Sequence, residues 1–526
     1  MKLYLWGRDT IHAPASTLAA LVSAYTSGCD GVFLSVYESL DGELVVLHDE
    51  RLENTTTFSG QVSETPFQGL RRLDIGVRFK DWRGTSVRYS AQPMSLKAMI
   101  QSLPRDLALV IELPVTSHVS DREILFARLI DTLKVHSRDA TLLADSESDL
   151  RVIRSIDPGI QIATNSAVIA DSIDLIALYS IDLIVAQEED VFSDSGLTPL
   201  GTKLEKAHEV GGATAQVCIR PSVGVPTNKL LLLAGTHAFI DAVCTTSVLA
   251  VPGFCEGKRV IVAESFPGRE VNTEMWALGY ARVGDPCHVY QQDGIHIAIR
   301  PYITVPPAPT PTDLDRRVKL LEEEVALLRR RTATYHGGGV GFVHGVEGSF
   351  FAEVDVTSEL AAQGTMFELA ALNANPGRHQ IPWNPDGTAR TPQTDQDSHS
   401  FFDPHGAPPF VGSEHDEDDG FRVNSHFASE YSDNNYGSDV GDGRLLDITL
   451  RLERRGAYFA AYFKSISESD PRDWICSGVV RNDSLNPRIF LRFVGKRWRT
   501  TGFPVSPNHF TISRITVGIW SEQHAK

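Results

Sequence analysis

The side chains best suited to chemistry are gathered in one stretch, residues 373–442. Phe401, Phe402, Phe410, Phe421, Phe427, Tyr431 and Tyr436 sit there among Asp403, His405, Asp416, Asp418, Asp419, Asp433, Asn434 and Asp439. Rings interleaved with short carboxylates and amides suit sugars, which stack on the rings and hydrogen-bond to the polar groups. Phe401, Phe402, Asp403, Asp416, Asp418, Asp419, Tyr431 and Tyr436 are therefore the expected binding residues. The run Glu414-His415-Asp416-Glu417-Asp418-Asp419 offers oxygen ligands for Ca²⁺, although its spacing is not that of an EF-hand loop. A solvated acidic loop explains the same run without a metal. Two other features carry less. Gly337-Gly338-Gly339 and Gly341 lack the Lys-Ser/Thr of a phosphate loop and read as a hinge. The six cysteines, at 29, 218, 244, 255, 287 and 476, form no CxxC pair and read as buried thiols.

Elements must hold these residues in place, and the chain divides by periodicity. Over residues 1–250, short apolar runs (3–5, 32–36, 44–47, 107–113, 141–143, 160–162, 183–185, 215–219 and 242–244) alternate with amphipathic helical stretches. That alternation predicts a (β/α)8 TIM barrel, whose chemistry belongs at the C-terminal strand ends. The run 107–113 contains one carboxylate, Glu112. Residues 251–303 predict a small β-rich appendage, and 304–312 a stiff Pro-rich linker. Residues 340–526 alternate with period two, so that Ile448, Leu450 and Leu452 face one way while Thr449, Arg451 and Glu453 face the other. This predicts an antiparallel β-sandwich of jelly-roll type. In this frame 373–442 is a long insertion of loops, where binding tends to reside.

Between the halves, residues 313–331 carry Leu314, Val318, Leu321, Val325 and Leu328 at spacings of 4, 3, 4 and 3. This is an a/d stripe with charges on most other positions. A helix this short is marginal alone and needs a partner. An intramolecular amphipathic helix and a self-associating coil both satisfy that need. Arg317 and Glu322 within the run RVKLLE resemble the signature of short trimeric coiled coils, which implies a homotrimer.

The barrel region resembles the glycerophosphodiester phosphodiesterases. The matching pieces are 13–21 (APASTLAAL), Gly28-Cys29-Asp30, 41–49 (DGELVVLHD), the turn from Thr55-Thr56 to Gly60, Leu73-Asp74-Ile75-Gly76, 93–100, 109–113 and 235–246. The resemblance implies two histidines acting as acid and base and three carboxylates holding a divalent cation. Transferred position by position, the first histidine falls on Trp6, an asparagine on Ser16, and two metal ligands on Phe33 and Ser35. The second histidine is retained as His48, the third carboxylate as Glu112, and the lysine that follows it becomes Pro114. Mg²⁺ and Ca²⁺ need several oxygen ligands, so Glu112 alone is insufficient. No cofactor is expected, and the reading is a scaffold that has lost its chemistry. The opposite reading keeps an active Mg²⁺ or Ca²⁺ enzyme in which His12 or Arg8 replaces the missing histidine and Asp30 or Glu38 the missing carboxylates. Asp30 has the wrong strand parity for that.

The bulk properties narrow the partners. The formal charge of −18 over 526 residues argues against nucleic acid and anionic membranes. No run reaches the length of a membrane span, and the first twelve residues are too short and polar for a secretory signal. Residues 446–476 are similar at fold level to laminin-G and concanavalin-like lectins. Barrel, linker, coil and sandwich in this order resemble minor tail or receptor-binding proteins of tailed bacteriophages. That resemblance implies a virion tail protein made in the host cytoplasm, partnered by other tail proteins and by a host cell-surface glycan or glycolipid. A cellular carbohydrate-binding surface protein is a third reading.

Overall fold

A computed structural model describes residues 1–7, 10–114, 121–193, 196–209, 215–220, 227–247, 249, 259–280, 287–299, 318, 335–359, 365–376, 401–402, 409–426, 434–435, 439–498 and 508–520. The chain forms two compact units. The first comprises Met1–Glu256 with Asp470–Val479, and the second Gly257–Ser469 with Val480–Glu522.

In the first unit the strands are β1 (Lys2–Trp6), β2 (Gly31–Glu38), β3 (Leu44–Val46), β4 (Met94–Ser95), β5 (Ala108–Glu112), β6 (Thr141–Ala144), β7 (Gln161–Asn165), β8 (Leu183–Gln187), β9 (Phe192–Ser193), β10 (Gly196–Leu197), β11 (Gln216–Arg220) and β12 (Ala242–Thr245). Eight of them pair in parallel in the order β1-β12-β11-β8-β7-β6-β5-β2, and β2 returns to β1, closing the ring. The expected eight-stranded barrel is therefore present. Helices begin where sequence supplies caps: Thr17 accepts from the Ala20 amide, Ser146 from Asp149, and Asp121 from Glu123. Antiparallel β3 and β4 extend β2, and the segment around them has its own small core of Tyr37, Val45, Leu47, Leu52, Val62, Leu70 and Ile75.

The second unit contains β13 (Arg259–Glu264), β14 (Trp276–Tyr280), β15 (Cys287–Gln291), β16 (Ile295–Ile299), β17 (Tyr335–Glu347), β18 (Ser349–Ser358), β19 (Thr365–Leu372), β20 (Phe410–Asp416), β21 (Gly420–His426), β22 (Asn434–Asn435), β23 (Asp447–Arg455), β24 (Tyr458–Ser465), β26 (Arg488–Trp498) and β27 (Asn508–Trp520), while β25 (Ile475–Arg481) begins in the segment that belongs to the first unit. One antiparallel sheet runs β15-β16-β27-β18-β23-β24-β25, with β13 on β27; the other runs β14-β17-β26-β19-β20-β21-β22. Their apolar faces meet, as the Phe367–Phe510 and Phe421–Phe463 ring pairs show, with centroids 5.9 and 3.7 Å apart.

Three expectations are corrected here. Residues 251–303 are not a separate appendage, because β13, β15 and β16 join the first sheet and β14 the second. The glycine run at 337–341 is strand, not hinge. A Cβ on Gly339 would lie 1.9 Å from the Phe493 carbonyl oxygen, so only glycine allows this approach. The insertion 373–442 is not loop throughout, since it contains the β20–β21 hairpin, whose residues are buried. The Pro-rich linker lies outside the described residues. So does the candidate coil, including Leu314, Arg317, Leu321, Glu322, Val325 and Leu328; Val318 alone is described, in helical conformation and 47% exposed.

Candidate functional site

Alternation along the barrel strands decides which side chains reach the interior. Tyr4, Trp6, Phe33, Val110, Leu143, Ala163, Leu183, Val185, Cys218, Ala242 and Cys244 form one buried cluster. Residues one step further along the same parity, at the C-terminal strand ends, are Ser35, Glu112, Asp145, Asn165, Gln187 and Arg220. This is the mouth, where a barrel of this type carries its chemistry.

Its floor is aromatic. The Trp6 and Phe33 rings are 5.0 Å apart, and Tyr4 meets Phe33 edge-on at 5.8 Å. Above them the polar groups pair with each other. Ser35 Oγ donates to Glu112 Oε2 at 3.1 Å. Asn165 donates to Asp145 at 2.8 Å. The Arg220 guanidinium lies 4.9 Å over the Trp6 ring and donates to the Gln187 carbonyl at 2.7 Å, while the Gln187 amide nitrogen donates to Glu189 at 3.0 Å. Gln187 and Arg220 were not expected from sequence, although strand-end parity alone would have found them.

Of the residues named for catalysis, Glu112 lies at the mouth beside Ser35. Ser35 is the register partner of Glu112, and the Leu47 amide donates to the Ser35 carbonyl at 3.2 Å, which ties the chain just before His48 to the end of β2. Both His48 and Glu112 are half-buried. Asp49 shapes the turn that follows: it accepts from the Arg51 amide at 2.9 Å and from Asn54 at 2.8 Å. Ser16 has φ of 59°, a left-handed conformation that asparagine adopts readily.

The replacements proposed for the lost groups are engaged elsewhere. Asp30 accepts from the Leu3 amide at the opposite, N-terminal end of the strands. Glu38 pairs with Arg128. Both ring nitrogens of His12 are hydrogen-bonded, to the Trp474 carbonyl and to Ser247. Arg8 lies outside the described residues. A divalent cation does not fit this mouth. The two positions at β2 to which the resemblance assigns ligands are a phenyl ring and a hydroxyl, that hydroxyl donates to Glu112, and Asp145 is bonded to Asn165. Among the described residues no three His, Cys, Asp or Glu side chains gather in a way that could hold a metal ion.

The binding residues expected in the second unit fare differently. Phe401 and Phe402 are fully buried, packed with Ala277, Ala370, Leu372, Phe410 and Val494. A ring enclosed in a core cannot stack on a sugar, so both are corrected to core residues. The acidic run is built around a guanidinium. Arg422 contacts Glu414 at 2.8 Å, Asp416 at 3.2 Å, Asp419 at 3.3 Å and Asp439 at 3.4 Å. It supplies the positive charge that the Ca²⁺ reading of this run assigns to a metal, and Asp416 is corrected from a binding residue to a buried ion-pair partner. Asp418 uses its backbone amide to close a turn onto Asp416. Burial pushes Asp416 up to about 6, with Arg422 opposing. Asp403, Tyr431 and Tyr436 lie outside the described residues.

Beyond this, Glu368 and Arg492 are fully buried on adjacent strands with Lys496. Arg492 donates to Glu368 at 2.7 Å, and Lys496 bridges Glu368 at 2.9 Å and Glu414 at 2.6 Å. Burial opposes charge on Glu368, but Lys496 and Arg492 outweigh it and bring the carboxyl down to about 2.

Residues 12–180 match the model of the glycerophosphoryl diester phosphodiesterase family, so the N-terminal barrel is a domain of that family. A glycerophosphodiester phosphodiesterase of Caldanaerobacter subterraneus is 24% identical over 156 residues, which is 29% of this chain and 62% of the relative. A probable glycerophosphodiester phosphodiesterase of Mycobacterium tuberculosis is 37% identical over 87 residues, 16% of this chain and 32% of the relative. The chain thus spans less than two thirds of either. A solved glycerophosphodiester phosphodiesterase from Agrobacterium tumefaciens aligns over 47% of this chain and 97% of its own, at 22% identity and a TM-score of 0.37.

Proposed function

We propose that this chain is a binding protein whose phosphodiesterase-type barrel no longer turns over substrate. One observation carries this reading: the Trp6 and Phe33 rings, 5.0 Å apart, fill the layer where the family resemblance puts a histidine and a metal-binding carboxylate. A phosphoryl-transfer site without its cation and one proton carrier loses most of its rate.

The rest of the proposal is architectural analogy. The second unit is taken as a lectin-like sandwich of jelly-roll type that grips a cell-surface glycan or glycolipid, and residues 313–331 as a trimeric coil that multiplies weak contacts into avidity. A minor tail or receptor-binding protein of a virion combines these parts.

Hydrolysis of glycerophosphodiesters with added Mg²⁺ or Ca²⁺ tests the barrel. No turnover above background is expected. Metal-dependent turnover abolished by His48→Ala overturns the proposal in favour of an active phosphodiesterase acting on envelope lipids or teichoic acids. Light scattering tests the coil: a trimeric mass for the native chain and a monomeric mass for Leu321→Asp are expected, and a monomeric native chain removes it.

A further inference from the structure

The first compact unit includes a segment remote in sequence, Asp470–Val479, which hydrogen-bonds to His12 and Trp82 at the rim of the barrel mouth. We propose that this rim is a peptide-binding site filled in cis by residues 470–476. It recognises a short turn ending in aspartate and tryptophan, followed by extended chain.

The site is built from three loops. His12 follows β1, Ser247 follows β12, and Trp82 and Arg83 lie between β3 and β4. The His12 ring is 7% exposed, with Nδ1 2.6 Å from the Trp474 carbonyl oxygen and Nε2 2.6 Å from Ser247 Oγ. A carbonyl only accepts, so Nδ1 carries the hydrogen and the tautomer is fixed. The His12 carbonyl accepts the Cys476 amide at 2.7 Å. One rim residue thus reads main chain at two alternate positions of the segment, as strand-addition peptide sites do.

Side-chain recognition centres on Asp473, itself buried. It accepts from Trp82 Nε1 at 2.7 Å and forms an ion pair with Arg83 at 2.7 Å. Arg472 lies 3.8 Å over the Trp82 ring. The segment is shaped beforehand: Asp470 and Asp473 cap the 3-10 turn Pro471–Asp473 reciprocally, with proline at its start. Preorganisation of this kind lowers the entropy lost on docking. Trp474, Ile475 and Cys476 are buried as well. His12 therefore positions the segment, and both ring nitrogens that a proton carrier would need are committed.

Hydrogen–deuterium exchange on the full-length chain tests the site. Asp473→Ala should raise exchange at the amides of 474–479 and of the rim loop 10–17 by tenfold or more, leaving helix Glu147–Ile156 as protected as before. Unchanged exchange at both places overturns the proposal. Should Asp473→Ala lose protection in that helix as well, Asp473→Asn, which keeps the shape and loses the ion pair, reads the same two places. A labelled peptide spanning 468–480 gives a second readout. It should bind the full-length Asp473→Ala/Trp474→Gly chain and not the native chain, whose rim is filled. Failure to bind the variant overturns the site while leaving the loss of catalysis untouched.

Discussion

The barrel mouth and the β19–β20–β26 face of the second unit handle charge in opposite ways. In the mouth, positions that the family resemblance assigns to ionisable groups hold Trp6, Phe33 and Ser35, and the carboxylate that remains is satisfied by a hydroxyl. In the second unit, Glu368, Glu414, Arg492 and Lys496 have almost no exposure, and each is paired with an oppositely charged neighbour. A buried charge persists only when a partner repays its desolvation. When a bound cation is the partner and the cation is lost, replacing its ligands by rings is the inexpensive outcome. When the partner is covalently part of the chain, the network survives without a ligand. An ion cluster is thus poor evidence of a site.

The largest effect should come from breaking the covalent network. Arg492→Met leaves Glu368 one cation short in a sealed position and should cost the second unit ~4 kcal/mol, the range for an orphaned buried charge. Denaturant unfolding measures it, and a loss near zero would mean the face is wet. Acid probes the same network with a defined sign. The folded Glu368 carboxyl lies below its ordinary value, so its contribution is fully present above about pH 4.5 and fades as pH falls toward 2. Asp416 acts oppositely, because its folded value is raised to about 6 and its contribution is lost as pH rises through that value. Thermal unfolding of the second unit should therefore fall steeply below pH 4.5, and Arg492→Met should flatten that limb.

The mouth offers the converse experiment. Phe33→Glu restores the side-chain type that the resemblance expects, but places it against Trp6 and Tyr4. It should destabilise the barrel by ~3 kcal/mol, as an unpaired buried charge does. Excess Mg²⁺ should not recover the loss, because Ser35 and Trp6 supply no further carboxylate. Recovery would show that the cation site survives in outline and would erase the contrast between the two regions.

Much of this was legible in the sequence, for physical reasons that differ by region. The barrel strands were found because each is a short apolar run between capped helices. Period-two alternation puts Phe33 and Ser35 on one side of β2, and Phe33 lies in the interior cluster while Ser35 bonds Glu112. The sheet that the strands of 259–299 join is not legible, since β13 and β16 pair with β27, more than two hundred residues away, and nothing local encodes that pairing. Phe401 and Phe402 were misplaced because composition alone cannot distinguish a ring that stacks on a ligand from one that folds under a loop. The acidic run was misjudged for a related reason: Arg422, the cation that organises it, faces it across a hairpin.

The smallest effect bears on the role of His48-Asp49 beside the mouth. Asp49 accepts two hydrogen bonds within the turn that returns the chain after β3. Side chains of this type stabilise turns by mimicking a backbone acceptor. Asp49→Ala should therefore cost ~1 kcal/mol, seen as a small drop in the barrel's melting temperature, and His48→Ala should leave the turn intact. If Asp49→Ala is silent and His48→Ala is not, the pair is held by a ligand in the mouth rather than by the turn, and the barrel has kept more of its ancestral chemistry than its aromatic floor allows.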